Sequence, residues 1–251
     1  MSRHPIAGTR IDRTRPIAFT FDGASLTGFA GDTLASALIA NDVPVVSRSV
    51  TFGRPRGVFA AGPEDPNAWV QLEAPYYDPI AMATMVELTE GLRASSIAGK
   101  GRLHPEPGSQ RFDRRYMHCD ALVVGGGPSG IAAALAASAG GARVILAEQQ
   151  AAFGGSGGLA PAAVRDGLAA WLPGALQELR DRPEVTLLTR TTATGSYDGN
   201  YFILEQRLGE SAEANGQTRR RVIEIRAKRA ILATGATERP IVFANNDRPG
   251  V

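Results

Sequence analysis

The chain has 251 residues, of which 43% are hydrophobic and 21% charged, as in globular proteins with one large or two modest domains. Its 27 Lys and Arg nearly balance 25 Asp and Glu, which argues against a nucleic-acid or other polyanionic partner. No segment approaches the roughly 18 apolar residues of a membrane span, and residues 1–16 lack the apolar core of a signal peptide. We therefore expect a cytoplasmic protein with no membrane-spanning segment.

The first elements of the chain predict a β-grasp domain. Residues 17–21 alternate in polarity like a half-buried strand, Asp22-Gly23 is typical of a hairpin turn, and residues 25–29 fit the return strand. Asp32 or Thr33 is then the expected N-cap of a helix with the sequence LASALIAN. A hairpin, a helix and irregular strands follow one another in this order in β-grasp folds.

The segment that follows predicts the division between two domains. Residues 76–108 carry repeated Pro and Gly toward their end, which favours a helix followed by an extended linker. We expect a β-grasp domain over residues 1–95, a linker over 96–117 and a nucleotide-binding domain over 118–251.

The second domain begins with the pattern of a dinucleotide-binding βαβ unit. An apolar run at 121–124 leads into the six residues Gly125–Gly130, which hold the G-x-G-x-x-G spacing. An Ala- and Leu-rich helix over 131–139 and a strand over 143–147 follow, and the strand ends at Glu148. Strand, glycines, helix, strand and terminal acid in this order predict a Rossmann-like domain that binds a dinucleotide.

Each part of this unit has a physical role. Gly125 permits the tight turn, Gly127 lets the backbone approach a pyrophosphate, and Gly130 allows close packing of the helix on the strand. Glu148 would accept hydrogen bonds from the ribose hydroxyls and would disfavour a 2′-phosphate, so NADP is the least favoured ligand. NAD and FAD share the ADP half that these residues meet, so the residues themselves leave both open.

The rest of the domain predicts a small antiparallel insertion before a closing strand. A second glycine cluster, Gly154–Gly158, either approaches the cofactor or is a flexible loop. We then expect a helix over 162–180 interrupted at Pro173, strands over 185–189, 201–204 and 222–225, and a buried strand with a Thr-Gly turn over 229–235. The predicted cofactor-binding residues are Gly125, Gly127, Pro128, Ser129, Gly130, Glu148, Gly154, Gly155, Thr192, Thr234 and Gly235.

This layout resembles that of the two-dinucleotide-domain flavoproteins, and motifs in both halves narrow the family. The N-terminal strings FTFDG (19–23), GDTLASAL (31–38), RPRG (54–57) and PNA (66–68) resemble the α subunit of heterotetrameric sarcosine oxidase. The string ATGATERP (233–240) and the final NDRPGV are similar to the same family, and related opine and proline dehydrogenase subunits share parts of the pattern. Members continue into a second nucleotide unit, so we expect an N-terminal fragment whose second domain is incomplete.

The resemblance implies a front domain like a [2Fe–2S] ferredoxin, but residues 1–118 contain no cysteine. Such a cluster needs four ligands, normally thiolates, so we expect no iron–sulfur cluster and a structural or interface role for this domain. A second departure is Gly53, where the family pattern leads us to expect a bulkier residue before Arg-Pro-Arg-Gly.

The resemblance also implies cofactors, partners and a reaction. It implies NAD bound in this chain, with FAD as the alternative at the same site, and FAD, FMN and tetrahydrofolate in the whole complex. The implied partners are β, γ and δ subunits. The implied reaction converts sarcosine, a small secondary amine, and oxygen into glycine, formaldehyde or methylene-tetrahydrofolate, and hydrogen peroxide.

No residue of this segment is a convincing catalyst or metal ligand. Its three histidines lie in the predicted tail or linker, and its single cysteine, Cys119, excludes an intrachain disulfide and an all-cysteine metal site. Two other functions stay open: an FAD-dependent NAD(P)-linked or opine/proline-type dehydrogenase subunit, and a non-catalytic docking module that binds a nucleotide. We expect the isolated segment to be inactive.

Overall fold

The chain divides into two compact units in the computed structural model, which describes residues 3, 10–59, 62, 64–105, 112–156, 162–208, 218–236, 241 and 243–246. Unit 1 comprises Met1–Ser109, Glu213–Asn215 and Thr237–Val251, and unit 2 comprises Gln110–Ala212 and Gly216–Ala236. The domain boundaries expected at residues 95 and 118 stay a prediction.

Unit 1 contains a five-stranded mixed sheet with the strand order β2-β1-β7-β5-β6. β1 and β2 form the predicted antiparallel hairpin, and Asp22 (φ 48°) and Gly23 (φ 80°) both take the positive φ of a type I′ turn. β1 also pairs in parallel with β7, whereas β5 is antiparallel to its neighbours. The elements are β1 (Asp12–Phe21), β2 (Ala24–Ala30), α1 (Leu34–Ala40), β3 (Ser47–Arg48), β4 (Pro55–Arg56), β5 (Trp69–Ala74), β6 (Asp78–Met82) and β7 (Leu92–Ser96).

Helix α1 begins with a capping box, and Thr33 rather than Asp32 is its N-cap. The Thr33 Oγ1 accepts the Ser36 N–H at 3.2 Å, and the Ser36 Oγ accepts the Thr33 N–H at 3.0 Å. Asp32 is buried beside it, where its carboxylate accepts the Phe29 N–H at 2.9 Å and pairs with the guanidinium of Arg3. The buried face of α1 packs into an apolar core that includes Leu34, Leu38, Leu72, Leu92, Phe19 and Phe21.

The prediction of a helix early in residues 76–108 is wrong. This segment forms β6 and β7, and β7 lies between β1 and β5 within the sheet. Leu92 and Ala94 are buried whereas Arg93 between them is exposed, which is the period of a strand. This alternation spans only three residues and is followed by two serines, too short a pattern to outweigh the Pro and Gly signals around it.

Unit 2 is built on a six-stranded sheet with the order β10-β9-β8-β13-β12-β11. The first four strands of this order are parallel, and β12 and β11 extend the sheet as antiparallel strands. The elements are β8 (Phe112–Val124), α2 (Pro128–Ser138), β9 (Val144–Ala147), α3 (Ala162–Asp181), β10 (Val185–Leu188), β11 (Thr191–Tyr197), β12 (Tyr201–Arg207) and β13 (Arg220–Leu232). The predicted α/β architecture is confirmed at this level.

Two strands of unit 2 are longer than predicted. β8 begins at Phe112, and β13 is one continuous strand that pairs with β8 from its first residue to its last. The expectation that the end of β13 is buried is wrong, since Leu232 is 73% exposed. α3 continues through Pro173 instead of breaking there.

Candidate dinucleotide-binding site

The site is formed where β8 ends, because the chain must turn there between two parallel neighbours. The Gly125 N–H donates to the Ala147 carbonyl of β9 at 2.8 Å, and Gly125 has a φ of 105°. A Cβ atom at Gly125 would lie 2.2 Å from the Ala233 carbonyl oxygen, directly after β13. Glycine is therefore required by the close approach of β13, which returns the chain beside the first glycine loop as predicted.

Gly130 sets the distance between α2 and the strand. A Cβ atom there would lie 1.8 Å from the Gly125 carbonyl oxygen, closer than any real contact. Ile131 and Ala134 on the same helix are fully buried against the sheet. This is the packing role that the spacing predicts for the third glycine.

No neighbour among the described residues requires a glycine at position 127. It is the N-cap of α2 with extended backbone (φ −73°, ψ −179°), and no described atom lies within 4 Å of the position of its Cβ. No side chain caps the helix, Pro128 occupies its first turn and Ser129 follows. Among the described residues, the space beside Gly127 at the N-terminus of α2 is therefore open, and the dipole and backbone N–H groups of a helix N-terminus are an arrangement that can bind a phosphate.

Glu148 follows β9 and lies beside this loop, with 6% of the residue exposed. Its Oε2 accepts the Gly126 N–H and its Oε1 accepts the Gln150 N–H, each at 2.8 Å. A carboxylate has about four acceptor positions, so about two remain for a ligand. A ribose diol supplies two O–H donors, which matches what remains.

Gly126 is a site residue that the spacing pattern does not identify. A Cβ atom there would lie 2.4 Å from the Phe153 Cδ1 and 2.8 Å from the Glu148 Cβ. Gly126 thus keeps Glu148 against the loop. The run of three glycines at 125–127 is the signal that could have found it, because the G-x-G-x-x-G pattern leaves the middle position free.

Part of the second glycine cluster packs on the first loop. The Gly154 N–H donates to the Gly126 carbonyl at 2.8 Å, and a Cβ atom at Gly155 would lie 3.1 Å from the Gly127 Cα. Both glycines have positive φ, 118° and 55°. Gly154 and Gly155 therefore pack on the first glycine loop and do not lie free, whereas residues 157 and 158 lie outside the described residues; the approach of this cluster to a cofactor stays a prediction.

The remaining predicted residues differ in their relation to the loop. Thr234 directly follows the backbone that meets Gly125, and it is exposed, as is Gly235. Thr192 lies on β11 and pairs with Glu205, whereas it is Thr191 that donates its N–H to the Glu148 carbonyl at 2.8 Å. The contact with Glu148 therefore comes from the residue before the predicted one.

The site contains no evident catalyst in the described part of the chain. Burial raises the pKa of the Cys119 thiol to about 11, so this group stays protonated and unreactive near neutral pH. Among the described residues no group of three or more His, Cys, Asp or Glu is placed to hold a metal ion. The same residues include no helix long and apolar enough to cross a membrane.

Two family models match the chain, one on each half. Residues 14–99 match a 2Fe-2S iron-sulfur cluster binding domain, and residues 120–236 match an FAD dependent oxidoreductase. The first match supports the β-grasp fold of unit 1, and the second covers the whole glycine loop, Glu148 and the end of β13.

Curated relatives cover nearly all of the chain. It is 42% identical to a sarcosine oxidase subunit alpha of Corynebacterium sp. (strain U-96), 45% identical to that of Corynebacterium sp. (strain P-1) and 39% identical to that of Rhizobium meliloti (strain 1021). These alignments cover 96–100% of this chain. The resemblance to sarcosine oxidase α subunits is confirmed. The chain spans 26–30% of the length of these relatives.

A solved structure is similar over the same extent. The L-proline dehydrogenase from P. horikoshii matches with a TM-score of 0.67 and 26% identity, covering 95% of this chain and 44% of the other. The proline dehydrogenase part of the predicted resemblance therefore agrees with the fold as well as with the sequence.

The expected cofactor needs a correction. NAD, which the resemblance implied, is wrong as the main cofactor, because the family model over residues 120–236 is that of an FAD dependent oxidoreductase. The glycine loop and Glu148 fit this change without adjustment, since FAD has the same ADP half.

Proposed function

We propose that this chain is part of an oxidoreductase that oxidises the CH–NH bond of a secondary amine, and that unit 2 binds the ADP half of FAD. FAD, when bound, supplies the acceptor for the two electrons of that bond. The similarity to three sarcosine oxidase α subunits and the FAD dependent oxidoreductase match support this proposal.

The observation that carries the proposal is that Gly127 and Glu148 lie at the same glycine loop. Gly127 opens the N-terminus of α2 to a pyrophosphate, and the half-used carboxylate of Glu148 lies across the same loop. Gly155 lies beside Gly127, and because it has no Cβ atom it leaves the space next to Gly127 open. The residues that we propose to line the cofactor site are those predicted from the sequence, with Gly126 added.

The work of the described residues is to bind and orient the cofactor. The dipole of α2 and the backbone N–H groups at its start would attract the pyrophosphate, and Glu148 would fix the adenosine ribose through its two free acceptor positions. We assign no proton transfer and no contact with the amine to this part of the chain.

The finer expectations form the rest of the proposal. The whole protein would convert sarcosine, oxygen and water into glycine, formaldehyde and hydrogen peroxide, or deliver the one-carbon unit to tetrahydrofolate. It would do so in the cytoplasm with β, γ and δ subunits and a further FMN. The predicted boundaries at residues 95 and 118 belong to the same proposal.

The test compares two glycines of unit 2 that both have open space at the Cβ position. We expect Gly127→Val to place its side chain where the pyrophosphate would lie, so that the purified protein loses most of its FAD. Gly140→Val is the control, because Gly140 follows the far end of α2 and also has no described atom within 4 Å of its Cβ position.

The measurement is the FAD released on denaturation, quantified by absorbance and mass, with circular dichroism to verify that both variants fold. Equal FAD content in the two variants would show that the open space at Gly127 is not a phosphate site. A nucleotide other than FAD released from the unaltered protein would overturn the cofactor assignment itself.

A dehydrogenase that passes electrons to an acceptor other than oxygen is the second candidate. The structural similarity to the L-proline dehydrogenase favours it, because that match covers 95% of this chain. Oxygen consumption and reduction of an artificial electron-accepting dye, each measured with sarcosine and with proline, separate the two candidates. Turnover with dye alone would favour the dehydrogenase, and turnover with oxygen the oxidase.

A further inference from the structure

Unit 1 matches a family of cluster-binding domains but lacks the ligands for a cluster. The match covers residues 14–99, and residues 1–118 contain no cysteine. A [2Fe–2S] centre is held by four thiolates, or by two thiolates and two imidazoles, so the residues present do not fit the group.

One buried carboxylate links the described ends of the connection between β4 and β5. Asp65 is 1% exposed, and its Oδ2 accepts the Phe59 N–H at 2.6 Å. Its Oδ1 accepts the N–H groups of Asn67 and Ala68, each at 2.8 Å. The carboxylate thus ties the β4 end of the loop, at Phe59, to the β5 end, at Ala68.

The next polar side chain of the loop extends the same network. Asn67 is 5% exposed, its carbonyl oxygen accepts the Ser47 O–H at 2.5 Å, and its Oδ1 accepts an Arg56 N–H at 2.6 Å. Ser47 and Arg56 belong to the paired strands β3 and β4. Asn67 therefore connects the β5 end of the loop to both strands of the small hairpin, β3 and β4.

We propose that the Asp65 carboxylate holds the two described ends of the β4–β5 loop together in a β-grasp domain whose residues do not fit a metal cluster, so that unit 1 has no redox centre. Three charge-assisted hydrogen bonds to backbone N–H groups cross-link the loop as ligation to one centre would. Electrons from the amine then reach their acceptor without passing through unit 1.

The experiment measures iron and loop stability in the intact protein. We expect no stoichiometric iron or acid-labile sulfide after anaerobic purification. We expect Asp65→Asn to speed hydrogen–deuterium exchange in peptides that cover residues 57–69 by about tenfold or more, because the neutral amide loses charge-assisted bonds to three donors. A chelator is expected to leave exchange in the unaltered protein unchanged.

Asp12→Asn is the matched control, since Asp12 is an exposed carboxylate of the same unit whose hydrogen bonds within the described part of the chain go to Thr14. Ser47→Ala is a milder variant of the same network and is expected to speed exchange in the same peptides by a smaller factor, which keeps the test available if Asp65→Asn does not fold. Stoichiometric iron with sulfide, or exchange in both network variants equal to that of the control, would overturn the proposal.

Discussion

The substitution Glu148→Gln tests whether the carboxylate of the nucleotide loop serves both the fold and the ligand. Its two oxygens each accept one backbone N–H at 2.8 Å, from Gly126 and from Gln150. A glutamine has the same shape but only one acceptor oxygen, so one of these donors must face an NH₂ group. An unsatisfied buried donor costs about 1–3 kcal/mol, and we expect the free energy of unfolding of the FAD-free protein to fall by this amount.

The same substitution is expected to weaken FAD binding by about tenfold or more, because the ribose hydroxyls lose a charged acceptor. Urea unfolding of FAD-free protein gives the first quantity, and titration with FAD gives the second. Glu178→Gln is the control: Glu178 is an exposed residue of α3 that pairs with Arg182, and such surface pairs contribute little. Unfolding midpoints and FAD affinities that coincide for the two variants would refute the assignment of Glu148.

Two further predictions concern the frame around the loop. Gly130→Ala is expected to lower the urea midpoint, because a Cβ atom 1.8 Å from the Gly125 oxygen causes overpacking that costs more than the gain of about 1 kcal/mol in helix propensity; an unchanged midpoint would contradict this close approach. The hydrogen bond from Lys228 holds the pKa of Asp120 below its usual 3.8. The charged Asp120 therefore stabilises the folded protein above pH 3.8, and this contribution is lost as the pH falls further below that value. The difference in urea midpoint between the unaltered protein and Asp120→Asn should therefore shrink from pH 7 to pH 3, and a constant difference would exclude this effect.

The parts of the fold that could be predicted are those where a local rule and the tertiary structure agree. The turn at Asp22-Gly23 requires positive φ at both residues, and the sequence supplies two residues that tolerate it. The βαβ unit at 121–148 combines a short apolar run, small residues where backbone meets backbone, and a terminal acid. In both places the residue type has few alternative explanations.

The parts that could not be predicted depend on neighbours distant in the sequence. The first half of β8 is rich in charged residues and is a strand because β13 pairs with it along its whole length, from Arg220 opposite Phe112 to Leu232 opposite Val124. β7 is short, and it is a strand because β1 and β5 lie on either side of it. Neither pairing has a signal in the local pattern.

The glycine pattern cannot distinguish NAD from FAD, for a chemical reason. The residues at 125–130 and 148 would meet only the ADP half, which NAD and FAD share, so the same residues are expected around either cofactor. The match over residues 120–236 favours FAD, because it is to the model of an FAD dependent oxidoreductase.

Two buried carboxylates of the same chemistry differ in how much of their acceptor capacity the protein itself uses. Asp65 accepts at least three backbone N–H groups, so most of its acceptor capacity is used within the loop that it holds. Glu148 accepts two among the described residues, and beside it Gly127 leaves open space at the start of α2. A carboxylate whose acceptor positions are filled stabilises a loop, whereas one with positions left beside an open helix N-terminus can bind a ligand. The number of backbone donors at each acid is thus the structural ground for the two proposed roles, and the sequence shows only an Asp and a Glu.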